Sequence, residues 1–407
     1  MLTHSYYEED PRVRREAEAL VAAGRTVEVF ALRRPGDQPQ GTVEGVLVHR
    51  LDVQRHQGAG LGRYLAEYLA FLARAAWSAT RAHRRRPFAL VQVHTLPDFL
   101  AFAALPLRLA GVPVLLDLHE AMPEFFRTRF PRASSRLVHR ALLLQERASI
   151  AASDAVLTVN DALAARLVGL GVRPDRITVI LNAPDLRLFD PTRFPTRAFM
   201  ADDTLRLVYA GALTPTYELD VVVGAMAELV RQRPGLAVHL DIYGRGDSLA
   251  ALEASAANLD VADRVTFHGR IPLESVPGAV AAADLGLAPT RRSPFTDFSL
   301  STKILEYAAM GKPVVASRLP LVESTFPEGS VATYEPGDAA GLAETILRLV
   351  DRPDERAQRV ARTAGRVGEL SWAREAERYR ALVERLIARR GAERGGQPPR
   401  AAYPERR

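Results

Sequence analysis

Cysteine is absent from the 407 residues. That excludes a disulfide framework, thiolate nucleophiles and Cys-ligated metal sites, and it suits a reducing compartment. Long apolar runs are missing as well. The most apolar stretch, residues 100–116, is broken by Pro106, Arg108 and Pro113. It reads as a buried helix, a turn and a strand, not as a membrane span. From Tyr6 onward the chain is acidic and then basic, so no secretory leader is expected there. Lysine is nearly absent too: of 54 Lys plus Arg, only Lys303 and Lys312 are lysines. RNP, zinc-finger and helix-turn-helix patterns are lacking, as is any interleaving of aromatic and basic residues. A net charge of +6 therefore points to anionic lipid or a phosphorylated substrate, with nucleic acid not expected as a partner. No Asp-x-Asp pair is present, so no metal ion bridging a diphosphate is expected.

What is there suits two α/β domains. Hydrophobic residues make up 47% of the chain, enough for two cores at this length. Short apolar strands alternate with amphipathic helices, the pattern of parallel sheets. In the first half strands are expected at 2–4, 26–32, 46–51, 90–94, 112–118, 155–159 and 177–180. Helices are expected between them at 11–23, 61–85, 97–110, 136–152 and 161–170. Periodicity fades near 185–203, where Pro and Asp accumulate, which marks a linker. The second half repeats the alternation, with strands at 205–210, 237–243, 265–267, 285–288 and 314–317. Its helices are expected at 219–232, 248–258, 273–282, 302–310 and 339–350, followed by one long charged helical region over 354–390. The expected division is 1–188, 189–370, a C-terminal helix over 371–390 crossing back to the first domain, and a disordered Gly/Pro/Arg-rich tail over 391–407. Two doubly wound, Rossmann-like domains of this kind face each other across a cleft and bind ligands at the C-terminal ends of their strands.

The most informative segment is SLSTKILEYAAMGKPVVAS, residues 299–317. Ser301 or Thr302 can cap a short helix, Gly311 ends it and Pro313 forbids its return. Ile304, Leu305, Ala308 and Ala309 form an inward stripe, and Lys303, Glu306, Tyr307 and Met310 fall on another face. A cation thus stands at a helix N-terminus, where free N–H groups and the dipole already attract anions. A carboxylate one turn further on can accept hydrogen bonds from sugar hydroxyls. Phosphate beside ribose describes a sugar nucleotide, although a plain surface Lys–Glu pair would have the same spacing. Glycine turns after three strands add weight: YAGALTPTYELD with Gly211, DIYGRGD with Arg245 between Gly244 and Gly246, and HGRIP with Arg270 and Ile271. Each alone is an ordinary tight turn; together they converge on one sheet edge. His119 and His94 both follow first-half strands, and a histidine so placed is commonly a structural hydrogen bonder. Arg12 and Arg14 open the first helix, where they either meet an acceptor phosphate or line a solvated face.

In this arrangement residues 1–388 resemble the GT-B glycosyltransferases, specifically the retaining, nucleotide-sugar-dependent family 4. The resemblance rests on residues 8–32, 153–167 and 177–189 in the first half. In the second it rests on YAGALTPTYELD, LDIYGRGD, VTFHGRIP and the STKILEY segment, which matches a subgroup carrying Ser/Pro-x-Lys-x-x-Glu-Tyr. It implies that Glu306, the second glutamate of an E-x7-E motif, binds the ribose hydroxyls. It further implies that Ser299, Ser301 and Thr302 offer N–H groups to the diphosphate, that Gly211 gives close approach, and that Arg270 and Ile271 line the base pocket. His119 is implied to face the donor sugar. Three positions depart from the family pattern: Phe298 stands where the first glutamate belongs, and Ala212 and Tyr217 stand where a basic pair belongs. Asp297 then takes the glutamate's place, and Lys303 and Arg245 supply the charge.

The expected activity is transfer of a sugar from a nucleoside-diphosphate sugar to a glycan or lipid-linked hydroxyl acceptor in cell-envelope, polysaccharide or glycolipid synthesis. No cofactor beyond the donor and no metal is expected. The site is cytoplasmic, with peripheral contact to an anionic membrane through basic, leucine-bearing helices such as residues 61–86. A nucleotide-sugar-binding protein without activity and a UDP-sugar 2-epimerase are the competing readings.

Overall fold

The computed structural model describes residues 1–53, 61–195 and 197–393. The chain divides into two compact units, one of residues 1–181 with the C-terminal helix from Ala376 onward, the other Asn182–Glu375.

The first unit contains strands β1 (Glu28–Leu32), β2 (Gln40–Val43), β3 (Val46–Leu51), β4 (Val91–His94), β5 (Val114–Leu118), β6 (Ala155–Thr158) and β7 (Ile177–Val179). Its helices are α1 (Pro11–Ala22), α2 (Leu61–Arg85), α3 (Leu105–Leu109), α4 (Met122–Arg129), α5 (Arg136–Ala151) and α6 (Asp161–Gly169). The strands order as β1-β3-β2 and β4-β5-β6-β7. The first expected strand is reduced to a bridge: Leu2 pairs with Phe30 on one side and Val93 on the other, which joins the two halves of the sheet. Among the described residues every pairing in this unit is parallel except β2 with β3. That exception is an edge hairpin on an otherwise parallel sheet. β2 is polar and half exposed, and it returns through Glu44 and Gly45, both at positive φ, the geometry of a two-residue hairpin. β4 and β5 are buried throughout, as strands covered on both faces must be. The expected single helix over 97–110 is a 3-10 segment, Asp98–Ala104, followed by α3. Pro106 cannot donate the N–H that a continuous helix needs there.

The second unit contains β8 (Thr204–Ala210), β9 (Ala237–Tyr243), β10 (Val265–Gly269), β11 (Leu285–Ala288), β12 (Val314–Ser317) and β13 (Ala332–Tyr334). Its sheet is fully parallel in the order β10-β9-β8-β11-β12-β13. The helices are α7 (Leu219–Gln232), α8 (Leu249–Asn258), α9 (Val276–Ala282), α10 (Thr302–Ala309), α11 (Pro320–Thr325), α12 (Ala339–Asp351) and α13 (Pro353–Glu369), with α14 (Trp372–Glu393) leading out. The long charged helix expected over 354–390 is broken at Leu370 and Ser371, both buried. Gly391 and Glu393 lie in α14 and not in a disordered tail; residues 394–407 lie outside the described residues. Parallel strands place all their C-terminal ends at one edge, which is where the glycine turns and the start of α10 fall.

Candidate functional site

The second unit's strand-end edge is built by close backbone approach. Gly211 follows β8. A Cβ there would lie 2.2 Å from Cε of Lys303 and 2.8 Å from its Nζ, so only glycine lets α10 lay its lysine against this turn. Gly244, after β9, has φ +153°, and a Cβ on it would sit 1.8 Å from the Gly211 carbonyl oxygen. The Gly211 N–H donates to Tyr243 O at 2.8 Å, the Gly244 N–H to Gly269 O at 2.8 Å, and the Leu213 N–H to Arg245 O at 3.1 Å. The three turns are thus stitched to one another.

α10 is anchored from below. Tyr307 is fully buried and its hydroxyl accepts the Ala210 N–H at 2.9 Å. A Cβ on Gly286 of β11 would meet the Tyr307 ring at 2.3 Å, so this strand must carry glycine for the helix to seat. Lys303, Tyr307 and Met310 are all buried. This corrects the expectation that they form a separate face: α10 is enclosed on almost every side. Lys303 is 6% exposed, with Nζ 3.9 Å from the Tyr217 ring centroid and 5.2 Å from that of Tyr209. The aromatic at position 217, where the family pattern has a base, therefore holds the cation that α10 brings. Lys312, the other lysine, caps α9 by donating to Ala281 O and Ala283 O at 2.8 and 2.7 Å. It has no part at this edge.

The loop into α10 is held without a ligand. Thr296 Oγ1 donates to Arg291 O at 2.7 Å and accepts the Ser293 N–H at 2.8 Å. The Thr290 N–H donates to Ser317 Oγ at 2.7 Å, and that hydroxyl and Tyr334 both donate to Glu218 Oε1, at 3.0 and 2.9 Å. Burial raises the pKa of Glu218, against these two hydrogen bonds. Ser301 stands at the N-cap of α10, but its hydroxyl caps nothing and is buried with no hydrogen-bond partner. A buried hydroxyl so placed at a helix N-terminus is poised for a ligand oxygen. Ser299, Thr302 and Glu306 are half-buried beside it, Glu306 one turn beyond Lys303. Arg245 and Arg270 are exposed on the neighbouring turns, and Ile271 is half-buried. Asp297, half-buried on the same loop, has its Oδ1 3.6 Å from Arg292 Nε.

The first unit carries a second constellation, at the ends of β4 and β5. Arg12 Nε and Nη2 donate to the two carboxylate oxygens of Asp117 at 3.0 and 2.9 Å, and Nη1 donates to Ile180 O at 3.1 Å. Nη2 also lies 3.3 Å from Glu16. His94 Nδ1 and His119 Nε2 each reach Asp117 Oδ2 at 3.1 Å. Beyond Glu16 the chain of contacts continues through Gln92, which donates to Glu16 at 2.6 Å, to the Tyr379 hydroxyl of α14. Arg12 is 4% exposed and its fork is saturated. It is a buried structural cation, which corrects its reading as an acceptor-phosphate ligand; Arg14 pairs instead with Glu18 at 3.1 Å.

Electrostatics separates the members. Burial alone would raise Asp117, but Arg12 and His119 hold its carboxyl well below the usual range. Burial works against a charged His119, yet the Asp117 carboxylate raises its pKa above the ordinary histidine value. In fully buried His94 burial wins and the pKa falls. Glu16 is pushed up by burial and by the Asp117 charge. His94, Asp117 and His119 offer ligand atoms within 4.8 Å of one another, a spacing that could hold a metal ion. Arg12 already occupies both Asp117 oxygens with a fixed positive charge, so the set fits an ion-pair network better than a metal centre. Sequence reading singled out His119 but missed Asp117 and Glu16. The signal was available: an acid inside the apolar run LLDL must find a buried partner.

Two family models match the chain: "Glycosyl transferase 4-like domain" over residues 10–183 and "Glycosyl transferases group 1" over residues 204–352. A D-inositol 3-phosphate glycosyltransferase of Kineococcus radiotolerans is 26% identical over 416 residues, covering 94% of this chain and 91% of the relative. Among solved structures, sucrose-phosphate synthase from Thermosynechococcus elongatus superposes with a TM-score of 0.74 at 22% identity, covering 93% of each chain. Anabaena HepE in complex with UDP-glucose gives 0.68 at 16% identity, covering 94% of this chain and 98% of the other.

Proposed function

Because the chain belongs to the GT-B glycosyltransferases of family 4, we propose that it moves a hexosyl group from a nucleoside-diphosphate sugar to an envelope-type hydroxyl acceptor, with retention and without a metal. Nucleotide-sugar-dependent transfer to a hydroxyl is the activity of the family; donor, acceptor and the absence of a metal are this reading's own. The observation that carries it is the start of α10. A buried ammonium, an uncommitted buried hydroxyl and free helix N–H groups meet there on a turn too tight for any side chain. Such a site stabilises the negative charge that develops on a departing diphosphate. One fixed cation and a helix dipole already supply what a bridging metal would, and Arg245 on the adjoining turn adds a second cation.

Each residue then has a task. Lys303, Ser301, Ser299 and Thr302 hold the diphosphate, and Glu306 accepts from the ribose hydroxyls. Arg270 and Ile271 flank the base. Asp297 hydrogen-bonds the transferred sugar; in the first unit His119, held in orientation by Asp117, is the candidate for contact with substrate. The acceptor oxygen bonds to the anomeric carbon as the carbon–phosphate oxygen bond breaks, and the leaving phosphate oxygen takes the acceptor's proton. The absence of cysteine suits a cytoplasmic setting. Hydrolysed and free donors allow a direct test. Calorimetry with UDP, GDP, ADP and their sugar conjugates, each with and without EDTA, should show tight binding of one nucleotide unaffected by EDTA. Binding of none would overturn the site, and binding abolished by EDTA would overturn the metal-free part.

A further inference from the structure

The positive excess of this chain is local. Residues 61–150 hold thirteen arginines and six carboxylates, a net of +7, while the remainder of the sequence carries 41 basic and 42 acidic side chains, a net of −1. The structure then sorts the two signs by depth. Of the six acids, Asp98 and Asp117 are fully buried, Glu67 is buried against His4 at 3.1 Å, and Glu146 is buried against Arg166. Glu124 is tied to the same Arg166 at 2.8 Å and Glu120 is half-buried. Twelve of the thirteen arginines are exposed; only Arg108 is half-buried.

Large apolar side chains are exposed on the same stretch of chain. On α2 Trp77 is 66% exposed, and on α5 Leu137 and Leu144 are 75% and 66% exposed. Both helices pack on the same 3-10 segment, Asp98–Ala104, which leads into α3 with its 89% exposed Leu109. Helical spacing interleaves the two kinds, which corrects the sequence reading that basic and aromatic residues are not interleaved. Arg74, Trp77, Arg81 and Arg84 run along α2 at three- and four-residue steps, and the Arg81 guanidinium lies 5.6 Å from the Trp77 ring centroid. Leu137, Arg140, Leu144 and Arg147 do the same on α5. A purely solvated basic face has no use for exposed Trp and Leu. A protein-binding groove would be concave and would carry both signs of charge. Arginines alternating with indole and isobutyl groups match a surface that is anionic at its headgroups and apolar just below them.

We propose that the α2–α3–α5 face docks on an anionic phospholipid bilayer, Trp77, Leu109, Leu137 and Leu144 entering the headgroup boundary and the arginines pairing with lipid phosphates. The proposal does not rest on the transfer reading, because its test needs no turnover. The full chain is sedimented with vesicles of phosphatidylcholine alone and with vesicles containing about one-third phosphatidylglycerol, at about physiological ionic strength. At least a tenfold preference for the anionic vesicles is expected. Charge reversal of Arg81→Glu with Arg84→Glu, and separately Trp77→Ser, should each reduce that binding at least tenfold. Melting temperature and nucleotide affinity should stay at the wild-type values, since none of these side chains is buried. Equal binding to both vesicle types, no binding to either, or wild-type binding by the charge-reversed variant would overturn the proposal. So would tight binding of single-stranded nucleic acid by a chain that ignores the vesicles.

Discussion

Replacing Lys303 by Met isolates charge from packing. Methionine keeps an unbranched stem of similar length, so it can lie over Gly211 and against Tyr209 and Tyr217 without forcing the turn open. The folded state loses a cation–π contact worth about 0.5–2 kcal/mol, but it no longer buries an ammonium, and the two effects oppose each other. Net stability should change by less than about 1 kcal/mol. A bound diphosphate, by contrast, loses a charge-assisted hydrogen bond worth about 1.5–3 kcal/mol. That corresponds to a Kd weakened about ten- to 150-fold. The assay is isothermal calorimetry with the best-binding nucleoside diphosphate at fixed salt, alongside a urea unfolding curve. An affinity within twofold of wild type, together with a stability loss of several kcal/mol, would refute the reasoning. Lys303 would then be a structural lysine whose role is to hold two tyrosines apart.

Two further predictions concern the first unit. Arg12→Ala leaves Asp117 buried and without its fork, and breaking a buried pair in this way costs about 3–5 kcal/mol; a loss under about 1 kcal/mol in urea unfolding would mean that the pair is not buried in solution. Glu16 has a folded pKa raised above the ordinary glutamic acid value of about 4.3. The stability its neutral form contributes is therefore complete below that value and is lost as pH rises through the folded pKa. Glu16→Gln, which cannot ionise, should flatten the decline of melting temperature from pH 5 to pH 9, and identical slopes for the two proteins would refute the assignment.

The sequence made the second unit more legible than the first, for a physical reason. Strands buried on both faces of a parallel sheet are continuous apolar runs, and β11 and β12 could be delimited to the residue; β9 could be as well, from an alternation in which every second residue is buried. β2 could not, because a polar edge strand with alternate residues exposed carries no apolar signal. α4, α11 and β13 were missed through shortness. The glycine turns and the helix of the STKILEY segment were readable as a site because each demands a residue type that packing alone would not choose. Burial was not readable. Lys303 and Tyr307 looked like part of a face apart from the apolar stripe, yet their contacts come from β8 and the turn after it, some ninety residues earlier in the chain. Arg12 looked like a surface cation for the same reason, since its partner Asp117 is 105 residues away.

The central claim is that the start of α10 binds and turns over a sugar nucleotide. Its most direct test is the rate at which the chain releases nucleoside diphosphate from the sugar nucleotide it binds best, for wild type and Glu306→Ala side by side. If Glu306 accepts from the ribose hydroxyls, removing it forfeits about 1.5–3 kcal/mol of binding in the complex, and kcat/KM should fall about ten- to 150-fold while the fold stays intact. Wild-type kcat/KM in Glu306→Ala, with a wild-type melting curve, would contradict the account.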